Sequence, residues 1–487
     1  MLKNERGASS AGASNDRVVR QAGVAVFVVF LLSGVDFASW ASRLPAVRDS
    51  LGLDPAQVGL LLLVGAIGSL LSLPLSGVVV DHIGARSTVV TSAVLCAIGL
   101  LTASLGSALG AVVLVIGGLV LFGVGAGVWD AAMNLAGVAV EQRLGRSIMP
   151  RFHAGFSVGT MLGAGIGAVA AAVHASVLAH LAVVIVASTT AVVWAVRAFL
   201  PRPHASPASG AGTVGAASGA GTVGTAPGAD AVVDTAPGHH ADGAMSVPRA
   251  DGAMSVPRAD GAMSVSRADG MAAVLGEGGV VPVASRTGAF AGWLEPRTLM
   301  IGLIVFAAAL TEGSANDWVS LSVVDGFGTT HAGGALAFGL FVTAMTAMRL
   351  LGTALLDRYG RIPVLRLAAG LAVVGLLLFG LVPSMPIALV GVALWGVGAA
   401  LGFPVGMSAA SDDPARAAAR VSVVSTIGYS AFLAGPPLLG LLANEVGYRH
   451  ALLVIVIPVV VGLTVLRAAA PLRGHSLVDG DSVVPAR

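Results

Sequence analysis

Long apolar stretches alternate along the chain with short polar turns, and the intervals 87–129, 152–196 and 367–411 contain no Asp, Glu, Lys or Arg. A membrane-spanning helix needs about 20 apolar residues. Each of these intervals therefore holds two spans joined by an uncharged turn, and single spans fill the gaps between them. The pattern predicts an all-α membrane protein with twelve helices, near 21–43, 57–80, 86–106, 110–138, 152–173, 177–199, 298–322, 332–356, 363–382, 386–409, 417–442 and 448–468.

Six of these helices lie on either side of a segment of different character. Residues 201–296 are rich in Gly, Ala, Ser, Pro and Thr, and Ala-Asp-Gly-Ala-Met-Ser-Val recurs from Ala241, Ala250 and Ala259. Such a segment cannot bury enough apolar surface to fold, so a disordered linker is expected there, with a repeat-grown tether favoured over a docking element. The expected organisation is an N-terminal tail 1–20, a six-helix half 21–200, the linker 201–296, a second half 297–470 and a C-terminal tail 471–487. The apolar stretch from Ala22 follows basic residues, as in a signal peptide, but with eleven further spans behind it an uncleaved first helix is the better reading.

Composition agrees: hydrophobic residues make up 56% of the 487 residues and charged ones 11%. The charge distribution adds an orientation, because cationic loops are retained in the cytoplasm. Lys3, Arg17, Arg20, Arg86, Arg143, Arg358, Arg361 and Arg416 fall in one set of loops and tails, whereas the opposite set has Arg43, Arg48 and Arg449. Both termini are thus expected to be cytoplasmic. The net charge of +2 reflects this asymmetry and not a nucleic-acid partner. Cys96, the single cysteine, excludes a disulfide framework and reads as a packing residue.

A turn occurs twice. Gly77, Asp81, Gly84 and Arg86 follow the second predicted span, and Asp357, Arg358, Gly360 and Arg361 follow the eighth, with Gly84 and Gly360 separated by 276 residues. A six-helix unit has been doubled. This doubled motif, with the 6+6 arrangement, resembles the major facilitator superfamily of secondary transporters. The strings Ser33–Pro45, Met149–His153 and Gly435–Gly440 are similar to bacterial permeases of the rhizopine-transport-related, Mos-type group. The resemblance implies alternating access across a bacterial inner membrane, with the doubled loops latching the two halves on the cytoplasmic side. His82, Ala85 and Ile362 depart from the usual motif.

A carboxylate at bilayer depth costs roughly 2.5–3.5 kcal/mol on insertion scales, so it is retained facing a cavity or a partner. Asp36, Asp130, Glu312 and Asp317 are the candidates for proton coupling and the substrate cavity, and the 276-residue spacing brings Asp36 onto Glu312. Asp36, Trp40 and Arg43 share a helical face, as do Asp130 with Asn134 and Glu312 with Asn316, while Trp318 follows Asp317. Trp40, Arg43, Asn134, Asn316 and Trp318 are the candidate substrate contacts. The competing structural reading pairs Asp36 with Arg43, and Asp317 with Ser320 and Ser322. Arg349 reads as a cation snorkelling to the cytoplasmic end, and His153 as a titratable or a structural histidine.

The acids on the first and fourth helices resemble those that carry proton coupling in the fucose permease. Against an antiporter stand Leu119, where many proton-coupled relatives have Arg, and the fifth helix, whose glycines from Gly155 to Gly167 lack a Gly-Pro pair. Small residues at this spacing favour close helix packing, and Pro436 with Pro437 is expected to kink the eleventh helix, as a hinge or as a fixed bend.

The sequence thus predicts a monomeric, proton-coupled carrier of a small polar solute, sugar-like or polyol-like. An exporter of amphipathic compounds or a non-transporting sensor is the alternative. No nucleophile–base grouping, metal-ligand spacing or phosphate loop appears, so neither an enzyme nor a cofactor is expected.

Overall fold

The computed structural model describes residues 2–144, 148–200, 267–268, 271–274, 281–282, 291–413 and 416–472. The first half comprises α1 (Leu2–Ala41), α2 (Leu44–Leu51), α3 (Pro55–Leu109), α4 (Val112–Leu144), α5 (Met149–Ala172) and α6 (Val177–Ala195). The second comprises α7 (Pro296–Phe327), α8 (His331–Tyr359), α9 (Arg361–Leu381), α10 (Met385–Ala399), α11 (Gly402–Ala410), α12 (Ala417–Val446), α13 (Tyr448–Ala451) and α14 (Val456–Val465).

Among the described residues, eleven stretches are long and apolar enough to cross a membrane. One of them, α3, runs for 55 residues, far beyond a single crossing. It breaks at Gly84, whose φ of 84° and ψ of 151° lie in a region essentially restricted to glycine. Two spans therefore meet there, and the predicted twelve are present. Gly360, between α8 and α9, has φ 77° and ψ 168°. The doubled turn read from the sequence is doubled in backbone conformation as well.

α1 begins at Leu2, so the stretch read as an N-terminal tail is helical. α12 carries Pro436 and Pro437 within its length and is not interrupted there. The tenth span is divided, with α10 giving way to α11 at Ala400–Leu401.

Most of the expected linker, the turn at 145–147 and the tail beyond 472 lie outside the described residues. Three short strands, β1 (Arg267–Ala268), β2 (Met271–Val274) and β3 (Val281–Pro282), pair antiparallel in that order. They belong to a unit separate from the helices.

The glycine stripe of α5 packs on α1, where a side chain at Gly159 would meet the Leu31 carbonyl. Between the halves, α3 approaches α12 so closely that a Cβ at Gly59 would collide with the Pro436 carbonyl oxygen. This contact lies at the end of the bundle opposite the Gly84 and Gly360 turns.

Candidate functional site

A cavity of about 500 Å³ lies between the halves, lined by α1, α3, α4 and α5 from one and by α7 and α12 from the other. That volume suits a small organic molecule. Its polar lining includes Asp36, Asp130, Asn316, Asp317 and Tyr429, set among Phe37, Trp40, Trp129, Phe156 and Phe432.

On α1, the side chain of Asp36 is 5% exposed. Ser188 of α6 donates a hydrogen bond to its Oδ2 at 2.9 Å, while Oδ1 has no hydrogen-bond partner among the described residues. Trp40 lines the cavity one turn further on. Arg43 does not, because its guanidinium turns away and donates to the Ala175 carbonyl at 2.7 Å. The expected succession of acid, aromatic and base is therefore split, and the alternative pairing of Asp36 with Arg43 does not form.

On α4, Asp130 is exposed to the cavity, and Asn134 Nδ2 donates to its carbonyl oxygen at 2.8 Å and to its Oδ1 at 3.2 Å. Asn134 thus touches Asp130 and lies outside the lining. On α7, Asn316 and Asp317 line the cavity, whereas Glu312 does not. Glu312 Oε2 receives Arg349 Nη2 of α8 at 2.7 Å, and Arg349 Nε also reaches the Ala400 carbonyl at 3.3 Å. The snorkelling role assigned to Arg349 gives way to an ion pair inside the second half.

Trp318 points away from the cavity, 1% exposed, with its ring 5.7 Å from that of Tyr448. His153 packs edge-on against Phe30. Sequence reasoning missed Ser188, which a 3.6-residue pattern on α6 gave no reason to single out. It also missed Tyr429, whose position as a polar aromatic within an apolar span was an available signal.

In each doubled loop the arginine bonds within its own half. Arg86 donates to the carbonyls of Val196, at 2.7 Å, and Arg197, capping the end of the sixth span. Arg361 donates to both carboxylate oxygens of Asp412, at 2.7 and 2.9 Å, and Asp412 also receives Arg297 at 3.1 Å. Gly77, Asp81 and Asp357 are exposed, and Arg358 lies over the Tyr359 ring. For Arg86 the expected latch across the halves is replaced by this cap, because carbonyls at a helix C-terminus attract a cation.

The halves are joined at the opposite end. Arg48 of α2 pairs with Asp325 of α7 at 2.7 Å, and Asp49 lies 2.8 Å from His331 Nε2. The Arg48 guanidinium also covers the Tyr448 ring, 5.6 Å from its centroid.

The model of the Major Facilitator Superfamily matches residues 26–311 and 301–479. An uncharacterised transporter, y4wD, of Sinorhizobium fredii is 31% identical over 423 residues, which cover 86% of this chain and 90% of that protein. The membrane protein MosC of Rhizobium meliloti is 26% identical, over 89% of this chain and 86% of its own. Among solved structures, that of the nucleoside transporter NupG superposes with a TM-score of 0.61 at 15% identity, covering 93% of this chain and 98% of that one. At that identity the likeness speaks for the fold. Together with the paired six-helix halves and the cavity between them, these matches establish that the chain belongs to the Major Facilitator Superfamily, is a transporter and not an enzyme, and is similar to the Mos-type group.

Proposed function

We propose that the protein moves a small polar organic solute, sugar-like or polyol-like, by alternating access, with protons as the coupling ion. The observation that carries this reading is the carboxylate of Asp36, a residue of the cavity lining: among the described residues its buried Oδ1 has no hydrogen-bond partner, and its Oδ2 accepts from the Ser188 hydroxyl. A carboxyl group in that position can hold a proton and release it when the cavity changes its access. Asp130 and Asp317 face the same space and share the role. Alternating access is supported by the ion pair that joins the two halves at the end bearing Arg48 and Asp325.

With cationic loops retained inside, the closed end is periplasmic, both termini are cytoplasmic and the conformation is inward-facing. The carrier works as a monomer in the inner membrane, since one chain supplies both halves of the cavity. The aromatic lining favours one variant of this reading, export of an amphipathic compound.

The test is counterflow of a sugar, polyol and drug panel in proteoliposomes, with and without a pH gradient. Proton-driven accumulation that Asp36→Asn abolishes is the expected result. Accumulation unchanged in that variant overturns the assignment of Asp36.

A further inference from the structure

Charge around the cavity is one-sided. Asp36, Asp130 and Asp317 line it, and among the described residues the lining includes no Lys, Arg or His. Arg43, just after α1, donates to the Ala175 carbonyl, and Arg349 of α8 donates to Glu312 of α7. Carboxylates facing a shared low-dielectric space repel one another, and their charge must be met by a proton or by a cation that enters. Asp36 belongs to that lining, and among the described residues its buried Oδ1 has no hydrogen-bond partner.

The rest of the wall is suited to the same kind of guest. Trp40, Trp129, Tyr429 and Phe432 line it, and aromatic faces attract ammonium groups, most strongly where water is excluded. A strongly hydrated inorganic ion would leave this apolar surface uncovered. An organic cation satisfies both parts of the wall.

We propose that the cavity selects a solute carrying a single positive amine, protonated or quaternary, on a body small enough for about 500 Å³. The inference rests on the reading of this cavity as the solute site, and it adds the sign of the charge. An anionic solute is excluded by the same wall.

The test uses the purified full-length protein in nanodiscs, with quenching of tryptophan fluorescence as the signal, since Trp40 and Trp129 line the cavity. Choline is compared with 3,3-dimethylbutan-1-ol, and benzyltrimethylammonium with neopentylbenzene, pairs of like shape that differ in charge. The cation of at least one pair is expected to bind at least tenfold more tightly than its neutral partner. Asp317→Asn is expected to remove that preference and Asp317→Glu to restore most of it, with thermal unfolding confirming that both variants are folded.

Equal binding within both pairs, tighter binding of the neutral members, or no binding by any of the four compounds overturns the inference. Should Asp317→Asn fail to fold, the same loss of preference is required of Asp130→Asn, and its absence there also overturns the inference. Failure of the transport reading is registered separately, as absence of counterflow for every solute offered.

Discussion

Arg349 Nη2 stands 2.7 Å from Glu312 Oε2, whereas Asp36, at the position equivalent to Glu312 in the first half, has the Ser188 hydroxyl as its one hydrogen-bond partner among the described residues. The duplicated unit has kept an acid at the same place in both halves and given it opposite surroundings. In the first half it borders the cavity with one oxygen free. In the second it is neutralised by a neighbouring helix, and the task of facing the cavity passes to Asp317, five residues along α7.

This asymmetry separates two substitutions that look alike. Glu312→Gln leaves the Arg349 guanidinium, with a side chain 31% exposed, without its carboxylate. Breaking a fully buried pair costs about 3–5 kcal/mol, and solvent access lowers this to about 1–3 kcal/mol. Asp36→Asn keeps an acceptor for Ser188 and removes a buried charge, so stability is expected to hold or rise while coupling is lost. Thermal unfolding and pH-driven counterflow on both variants check the contrast. A destabilised Asp36→Asn beside an unaffected Glu312→Gln would reverse it.

The pairing of Arg48 with Asp325 holds one end of the cavity shut. Arg48 is 9% exposed and is supported by Asp49 and by the Tyr448 ring, so its loss is felt more than that of a surface cation. Arg48→Ala is expected to weaken the closed state by about 1–2 kcal/mol, a population change of roughly 5–30-fold. The readout is labelling of Phe37→Cys, in a Cys96→Ser background, by an impermeant maleimide added from the α2 side. The labelling rate should rise, and an unchanged rate would remove this pair from the gate.

The spans were legible because every span must satisfy its own backbone in lipid and so leaves a long apolar signature. The duplication was legible because Gly84 and Gly360 occupy a backbone conformation that other residues avoid. The partners of the charged residues were not. Nothing in helical periodicity distinguishes Arg43, which turns to a loop carbonyl, from Trp40, which lines the cavity, since both share a face with Asp36. The gate was hidden for a similar reason: Arg48 and Asp325 are 277 residues apart and joined only by how the two halves meet.

Gly360 tests the doubled turn directly. Its φ is 77°, and a Cβ added there would meet nothing within 4 Å, so the cost of Gly360→Ala is conformational and not steric. A backbone conformation of this kind costs of order 1–3 kcal/mol for a residue with a side chain. The loss is expected to be about the same for Gly360→Ala and Gly360→Ser, because size does not enter. Thermal unfolding of the two variants measures it, and a loss that grows with side-chain volume would point to a clash instead.

Glu295, just before α7, gives a pH dependence of known sign. Arg420 of α12 donates to both its carboxylate oxygens, at 2.8 and 2.6 Å, and Thr298 donates to Oε2 at 2.8 Å. These bonds, the Arg420 bonds foremost, hold its pKa below the ordinary glutamate value. A carboxylate whose pKa is lowered by folding stabilises the folded chain above its unfolded pKa, ~4.3. That contribution is lost as the pH falls below this value and through the folded pKa. Glu295→Gln is therefore expected to lower stability at neutral pH and to make the unfolding temperature less dependent on pH below about 4.3. Unfolding temperatures of both proteins between neutral pH and the acid limit give the comparison, and parallel curves would show that this carboxylate contributes no pH-dependent stability.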